Sequence, residues 1–168
     1  MPVIFLMRHG EAEARATTDE ERQLTEYGKE YTVQIAQQFC DYLAKSSYPL
    51  PLLLHSPYVR AIETATILES RLKAQYSDQN QEQKAALHTV AFRAATPDQS
   101  AQSCLAALEE INSESVMLVS HMPIIASLAS LLEHGNVFQD HGFQTSEIRC
   151  FESEHWAPGG ATFKVRLL

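Results

Sequence analysis

The sequence predicts a single α/β domain, a three-layer sandwich in which helices cover both faces of a mostly parallel sheet. Three short apolar runs, at residues 3–7, 52–55 and 116–119, carry this prediction, and a helical stretch follows each of them. Continuous apolar runs with branched side chains are typical of strands that are buried on both faces. Because strands that alternate with helices indicate parallel pairing through crossover helices, we expect one such domain over residues 1–168.

Length and charge exclude several classes of protein. A chain of 168 residues has the length of about one domain. It carries 13 Lys+Arg against 21 Asp+Glu, a net charge of −8, so we expect neither a nucleic-acid nor a membrane partner. The apolar runs are far shorter than the roughly 20 residues of a membrane span, and no signal peptide is visible. Three widely spaced cysteines favour a reducing compartment, and we expect a cytoplasmic protein.

The first two helices are predicted from periodicity and capping residues. A polar surface loop over residues 11–22 precedes a helix that Thr25 caps and that ends near Ser46. Its packing face is predicted from side chains that recur every four residues: Tyr27, Tyr31, Ile35, Phe39 and Leu43. Ser56-Pro57 predicts the start of a second helix, which runs to about Leu72. Its inner face is predicted to contain Ala61, Thr64, Ala65 and Leu68.

The middle of the chain gives weaker signals. Residues 75–83 are polar and predict an exposed loop, and residues 86–92 predict a short strand. Asp98 can cap a third helix that extends to about Ile111. The inward residues of this helix are predicted to be Leu105, Ala106 and Leu108.

A fourth helix, a loop and two strands are predicted for the C-terminal part. The helix covers residues 124–133, the loop 134–145, and the strands 146–152 and 161–168. Three histidines and one aspartate cluster loosely in this region: His134, Asp140, His141 and His155. A metal site formed by them is possible, but a solvated loop is the better prediction.

Two histidines and two arginines follow the three buried strands. Arg8 and His9 end the first strand, Arg60 lies in the helix after the second, and His121 follows the third. Ligands of open α/β sheets bind at the carboxyl ends of the strands, so we expect these four side chains to converge. Arginine donors and helix N-termini match phosphate oxygens, and a neutral imidazole is a competent nucleophile. The pattern therefore predicts a phosphoryl-binding site.

Four segments resemble the motifs of the histidine phosphatase (phosphoglycerate mutase-like) superfamily, in the family's order. They are MRHGE at residues 7–11, LTEYG at 24–28, SPYVRAIETA at 56–65 and VSH at 119–121. The four segments together, in register with the predicted strands, make the resemblance specific. The short chain and the segment SHMP at 120–123 look most like the SixA-type phosphohistidine phosphatases.

The resemblance implies a role for each of the four residues. His9 would accept the phosphoryl group and become a phosphohistidine. Arg8 and Arg60 would hold the phosphoryl oxygens, and His121 would donate a further hydrogen bond to them. No metal and no cofactor are implied, and the implied partner is a protein that carries a phosphorylated histidine, which would give the enzyme a part in signal transduction.

The chain departs from the mutase-like members in one respect. Those members carry a glutamate that donates a proton to the leaving oxygen, and the matching residues, about 86–98, contain no glutamate. Glu11, Glu63 and Asp98 remain possible acids. Two alternatives therefore stay open: a phosphatase for small phosphoesters that uses the same site, and a noncatalytic module that binds phosphoryl groups.

Overall fold

A computed structural model describes residues 1–76, 87–139 and 142–168 and contains one six-stranded sheet in this part of the chain. The strand order is β3-β2-β4-β1-β5-β6, and of the six strands only β5 runs against the others. The strands are β1 (Val3–Arg8), β2 (Leu52–His55), β3 (Thr89–Ala91), β4 (Ser115–Ser120), β5 (Ile148–Glu152) and β6 (Thr162–Leu167). The helices are α1 (Glu26–Lys45), α2 (Val59–Gln75), α3 (Ala101–Glu109) and α4 (Ile124–His134), with 3₁₀ turns at Asp19–Glu21 and Arg93–Ala95.

The sheet is buried on both faces, as the apolar runs predict. Alternate residues of β1 point to opposite sides because side chains alternate along a strand. Phe5 and Met7 pack with α1 and α2, whereas Ile4 and Leu6 pack with α3 and α4. The three-layer α/β prediction is confirmed.

The predicted start of α1 is confirmed, and that of α2 is wrong. The Thr25 hydroxyl accepts a hydrogen bond from the Gly28 amide at 2.9 Å, so Thr25 caps α1 as expected. The Ser56 hydroxyl instead accepts from the Tyr58 amide at 3.3 Å, ahead of a helix that begins at Val59. Ser56-Pro57 therefore forms a turn before α2.

The cap and the inward face of α3 also differ from the prediction. The cap is Ser100, whose hydroxyl accepts from the Ser103 amide at 3.0 Å, while Asp98 is exposed. The helix begins two residues later than expected, and its inward face contains Cys104 in place of Ala106, which is exposed.

Tyr27 does not lie on the packing face of α1. It is 60% exposed, and its ring stacks parallel to that of Tyr31 at 6.0 Å. The predicted 75–83 loop lies outside the described residues from residue 77 onward, as do Asp140 and His141. Among the helices described, none combines the length and apolar character needed to span a membrane.

The start of α1 packs directly against the chain that leaves β1. A Cβ atom at Gly28 would lie 2.1 Å from the carbonyl oxygen of Glu11, and one at Gly10 would lie 2.5 Å from the Thr32 hydroxyl. Glycine at both positions allows two backbone segments to touch. This contact holds the first turn of α1 beside residue 9.

Gly28→Ala tests this contact through the sign of its effect on stability. Helix propensity alone predicts that alanine stabilises α1 by about 1 kcal/mol. We expect the opposite, a loss of at least about 1–3 kcal/mol, because the methyl group collides with backbone. Urea unfolding measures the difference, with Gln34→Gly at an exposed position of α1 as the matched control. The control should destabilise by about 1 kcal/mol. A stabilised Gly28→Ala protein would show that the contact is not tight.

Candidate active site

The register between β1 and β4 places His9 beside His121. Arg8 pairs with Ser120, so the two histidines are the next residues of adjacent parallel strands. The His9 amide extends the ladder with a hydrogen bond to the Ser120 carbonyl at 3.0 Å. The two imidazole rings lie 5.0 Å apart between centroids, and both are buried.

Arg60 reaches the same point from the first turn of α2. The strand β2 pairs with β4 on the side away from β1, so α2 begins at the same edge of the sheet. The Arg60 Nε donates to His9 Nε2 at 3.3 Å, and the guanidinium lies 5.0 Å from the Tyr58 ring centroid. Together with Arg8, which precedes His9 in β1, all four predicted residues meet at one edge of the sheet.

The hydrogen bonds of His9 define its tautomer. Its Nδ1 lies 2.7 Å from the carbonyl oxygen of Gly10, which can only accept a hydrogen bond. Nδ1 therefore carries the hydrogen. Nε2 is left with a lone pair, which accepts from Arg60 Nε. A neutral imidazole with a lone pair at Nε2 can attack an electrophilic phosphorus atom.

Both histidines are held neutral. Burial, together with the nearby charges of Arg60 and Arg8, lowers the pKa of His9 to about 4 against the opposing effect of the Gly10 carbonyl. Burial also lowers the pKa of His121 to about 3, with contributions from His9 and Arg60. At neutral pH the site thus holds two neutral imidazoles and two arginine cations.

Several buried polar atoms at this edge have no hydrogen-bond partner among the residues that the structure describes. Arg8 donates from Nη1 to the Phe143 carbonyl at 2.7 Å, but its Nε makes no hydrogen bond. Both ring nitrogens of His121 are also without one. Buried polar groups are nearly always paired in folded proteins, so unpaired nitrogens beside two cations indicate a site for an anionic ligand.

The loop at residues 11–22 reaches the site, which the sequence did not predict. Arg60 donates from Nη1 to the Asp19 carbonyl at 2.6 Å and from Nη2 to the Asp19 carboxylate at 3.1 Å. Arg22 donates to the same carboxylate at 2.9 Å. The polar pattern of this segment identifies a loop, and nothing in it indicates which way the loop folds.

A buried carboxylate supports Arg8 from the other side and was also missed. Glu147 is fully buried, and its carbonyl accepts from the Arg8 amide at 3.1 Å. Its carboxylate accepts from Arg149 Nε at 2.6 Å and from Arg166 Nε at 2.8 Å. The Arg149 guanidinium lies 3.9 Å from the ring centroid of Phe143, whose carbonyl holds Arg8. This network fixes the chain that anchors Arg8.

Each of the three possible acids, Glu11, Glu63 and Asp98, forms a hydrogen bond with a group other than the four predicted site residues. Glu63 accepts from the Leu24 amide at 2.7 Å, and Glu11 accepts from the Thr25 hydroxyl at 2.8 Å. Asp98 is exposed, and a hydrogen bond from the Thr96 side chain lowers its pKa. Hydrogen bonds from Arg22 and Arg60 lower the pKa of Asp19 as well. The lowered pKa values of Asp98 and Asp19 are the opposite of what a proton donor near neutral pH needs.

Elsewhere in the described part of the chain, the structure does not bring comparable chemistry together. A cavity of about 330 Å³ between α4 and the strands β5 and β6 is lined by both polar and apolar side chains and contains none of the four predicted residues. Within residues 1–76, 87–139 and 142–168, no group of three or more His, Cys, Asp or Glu could hold a metal ion. The loose cluster suggested around His134 includes Asp140 and His141, which lie outside these ranges.

The fold and this edge of the sheet define a phosphoryl-transfer enzyme, and comparison with known proteins identifies its family. A profile of the histidine phosphatase superfamily (branch 1) matches residues 4–88. A curated protein of Haemophilus influenzae, described as a phosphohistidine phosphatase SixA homolog, is 35% identical over 133 residues, which cover 77% of this chain and 76% of that protein. The chain belongs to the histidine phosphatase superfamily and is a SixA-like phosphatase.

Solved structures share the fold over nearly the whole chain. The protein histidine phosphatase SixA complexed with tungstate superposes with a TM-score of 0.76 at 24% identity, covering 98% of this chain and 96% of that one. A mycobacterial glucosyl-3-phosphoglycerate phosphatase complexed with VO3 superposes with a TM-score of 0.69 at 15% identity, covering 98% of both chains. The family and the fold predicted from the sequence are confirmed.

The lowered pKa values of His9 and His121 predict that stability falls as the pH falls below about 6.5. The unfolded chain binds protons at both histidines near pH 6.5, whereas the folded protein resists them until about pH 4 and 3. Because each histidine binds a proton in the unfolded chain but not in the folded one, each lowers the free energy of unfolding by on the order of 2 kcal/mol between pH 7.5 and pH 5.

The variant His121→Asn should therefore lose markedly less stability over this interval than the wild type. Urea unfolding at the two pH values measures the difference. His155→Asn, at an exposed position, is the control and should keep the wild-type dependence. Equal pH dependence in His121→Asn and the wild type would contradict the assignment of His121 as a buried neutral group.

Proposed function

We propose that this protein hydrolyses the phosphoryl group of a phosphohistidine on another protein, with His9 as nucleophile. Arg8 and Arg60 bind the phosphoryl oxygens, and His121 donates a hydrogen bond to them. The phosphatase class follows from family membership. What we propose beyond that class is the role of each of the four residues and a phosphohistidine protein as the substrate.

One observation carries the assignment of the four residues. The accepting Nε2 of His9 lies at the same sheet edge as buried nitrogens that have no hydrogen-bond partner among the described residues, namely Arg8 Nε and the His121 ring nitrogens. A phosphoryl group bound at Nε2 would place three negatively charged oxygens among them. Preorganised donors of this kind stabilise the charge that develops during phosphoryl transfer.

The proposed reaction has two displacements at phosphorus. In the first, the His9 Nε2 lone pair forms a P–N bond while the P–N bond of the substrate breaks, and the departing imidazole nitrogen takes a proton from solvent. In the second, water attacks the phosphorus of phospho-His9, the new P–N bond breaks, and the electron pair returns to Nε2. The Gly10 carbonyl keeps Nδ1 protonated throughout, so the same tautomer is ready for the next cycle.

The pKa of His121 depends on whether a phosphoryl group is bound at His9. In the free protein its pKa is about 3, because it is buried next to cations and His9. A dianion at Nε2 of His9 would raise that pKa, since an opposite charge favours the protonated form. His121 therefore acts as a hydrogen-bond donor to the transferring group and does not compete with His9 as a second basic nucleophile.

The surroundings of the candidate acids in the described part of the chain favour a phosphoramidate substrate. A P–N bond to imidazole is labile and its leaving group takes a proton readily, whereas an alkyl oxygen needs a general acid worth about 10²–10⁴ in rate. Glu11 and Glu63 are held by other groups, and the pKa of Asp98 is lowered mainly by its hydrogen bond with Thr96. The similarity to a SixA homolog supports the same substrate class.

The main alternative is hydrolysis of small phosphomonoesters at the same site. A fold shared with a glucosyl-3-phosphoglycerate phosphatase is compatible with it. This alternative requires a carboxylic acid within reach of the leaving oxygen. A noncatalytic binding module is the weaker alternative, because phosphate binding alone does not need a neutral histidine whose Nε2 carries a lone pair beside Arg60.

A substrate panel separates these functions. We expect kcat/KM for a phosphohistidine phosphocarrier protein to exceed that for sugar or glycerate phosphates by at least about 10²-fold, which is the size of the missing acid contribution. An activated aryl phosphate should also be hydrolysed, because its leaving group needs no acid.

Two variants serve as controls for the panel. Glu11→Gln and Asp98→Asn remove candidate acids and should leave the rate on phosphohistidine close to that of the wild type. Comparable rates on a sugar phosphate and on phosphohistidine would reject the proposed substrate class. A selective loss of the sugar phosphate activity in either variant would then identify the acid.

A further inference from the structure

Arg60 is already engaged by an anion from its own chain. Its three guanidinium nitrogens donate to His9 Nε2, to the Asp19 carbonyl and to the Asp19 carboxylate, at 3.3, 2.6 and 3.1 Å. The Arg60 side chain is only 5% exposed, whereas that of Asp19 is 58% exposed. A phosphoryl group at His9 therefore meets a guanidinium on which each nitrogen already donates one hydrogen bond, so that three of its five N–H donors are in use.

The carboxylate at this position is ionised and firmly held. Arg22 donates to it at 2.9 Å, and Arg22 is itself anchored through Nε to the Glu13 carbonyl at 2.6 Å. The hydrogen bonds from Arg22 and Arg60 keep the pKa of Asp19 below its usual value. Asp19 thus presents a negative charge on the side of Arg60 that faces the loop.

We propose that Asp19 is an internal competitor for Arg60 and sets how strongly the site binds oxyanions. An incoming phosphoryl group competes with the Asp19 carboxylate for the positive charge of Arg60 and for the hydrogens on Nη2. The Asp19 carbonyl at Nη1 belongs to the backbone and keeps the loop close while the side chain moves. Competition of this kind weakens the binding of every oxyanion, including the phosphate product.

Competition and positioning by Asp19 predict opposite results. If the carboxylate only orients Arg60, its removal weakens oxyanion binding. If it competes, its removal strengthens binding, and the effect falls on KM and on product inhibition more than on the chemical step. Because the pair joins a buried cation to a half-exposed carboxylate, we expect a gain of about tenfold.

The test measures binding of inorganic phosphate and of vanadate to wild type, Asp19→Asn and Asp19→Ala. Thermal stabilisation by the added anion reports binding without any substrate, and inhibition of aryl phosphate hydrolysis reports it during turnover. Both variants should bind both anions about tenfold more tightly and show a lower KM for the aryl phosphate.

Glu21→Gln is the matched control. Glu21 belongs to the same turn, is exposed and carries the same charge, and no hydrogen bond or ion pair joins it to Arg60. Its neutralisation should change anion binding by less than twofold. Weaker or unchanged binding in the Asp19 variants would overturn the inference, and so would an equal gain in Glu21→Gln.

Arg60→Ala separates this inference from the site on which it rests. The inference depends on the proposed oxyanion site at His9 and Arg60, and on no particular substrate. In the wild-type background Arg60→Ala should weaken phosphate binding, and in the Asp19→Asn background it should abolish the gain. If Arg60→Ala leaves phosphate binding intact, the site itself is wrong. If it weakens binding but Asp19→Asn does not strengthen it, only the competition is wrong.

Discussion

The parallel pairing of β1 with β4 is the constraint on which the site depends. Arg8 faces Ser120 across these strands, so His9 and His121 leave the sheet side by side. A slip of one residue would turn every side chain of β1 to the other face and exchange the two halves of the core. The register is fixed because both faces of β1 are buried, which couples the packing of apolar side chains directly to the geometry of the two imidazoles.

Electrostatics at this edge favour a bound anion. Burial keeps His9 and His121 neutral, while Arg8 and Arg60 bring positive charge to the same place. Two carboxylates offset this positive charge. Glu147 is buried near Arg8, and Asp19 accepts a hydrogen bond from Arg60. The Glu147 carboxylate is part of the core, whereas the Asp19 carboxylate is half exposed. A phosphoryl group can therefore take the place of the Asp19 carboxylate only.

The parts of the fold that could be predicted are those set by local pattern. The buried strands and the Thr25 cap follow from apolar runs and capping chemistry, and the four site residues follow from their positions after the strands. The start of α2, the cap of α3 and the exposure of Tyr27 depend on tertiary packing, which periodicity does not encode. Asp19 and Glu147 were missed for the same reason: each reaches the arginines through loops whose path depends on the rest of the fold.

The central claim is that Nε2 of His9 carries the phosphoryl group during turnover. The most direct test is to quench the enzyme with alkali during hydrolysis of ³²P-labelled phosphoramidate and to map the label. A phosphohistidine is stable to alkali and labile to acid, and the account predicts such a label on the peptide that contains His9. His9→Asn should not be labelled, whereas His55→Asn should be, because His55 is buried at the end of β2 with its Nδ1 on the Ser56 carbonyl. Label on His121, or turnover by His9→Asn at the wild-type rate, would contradict the account.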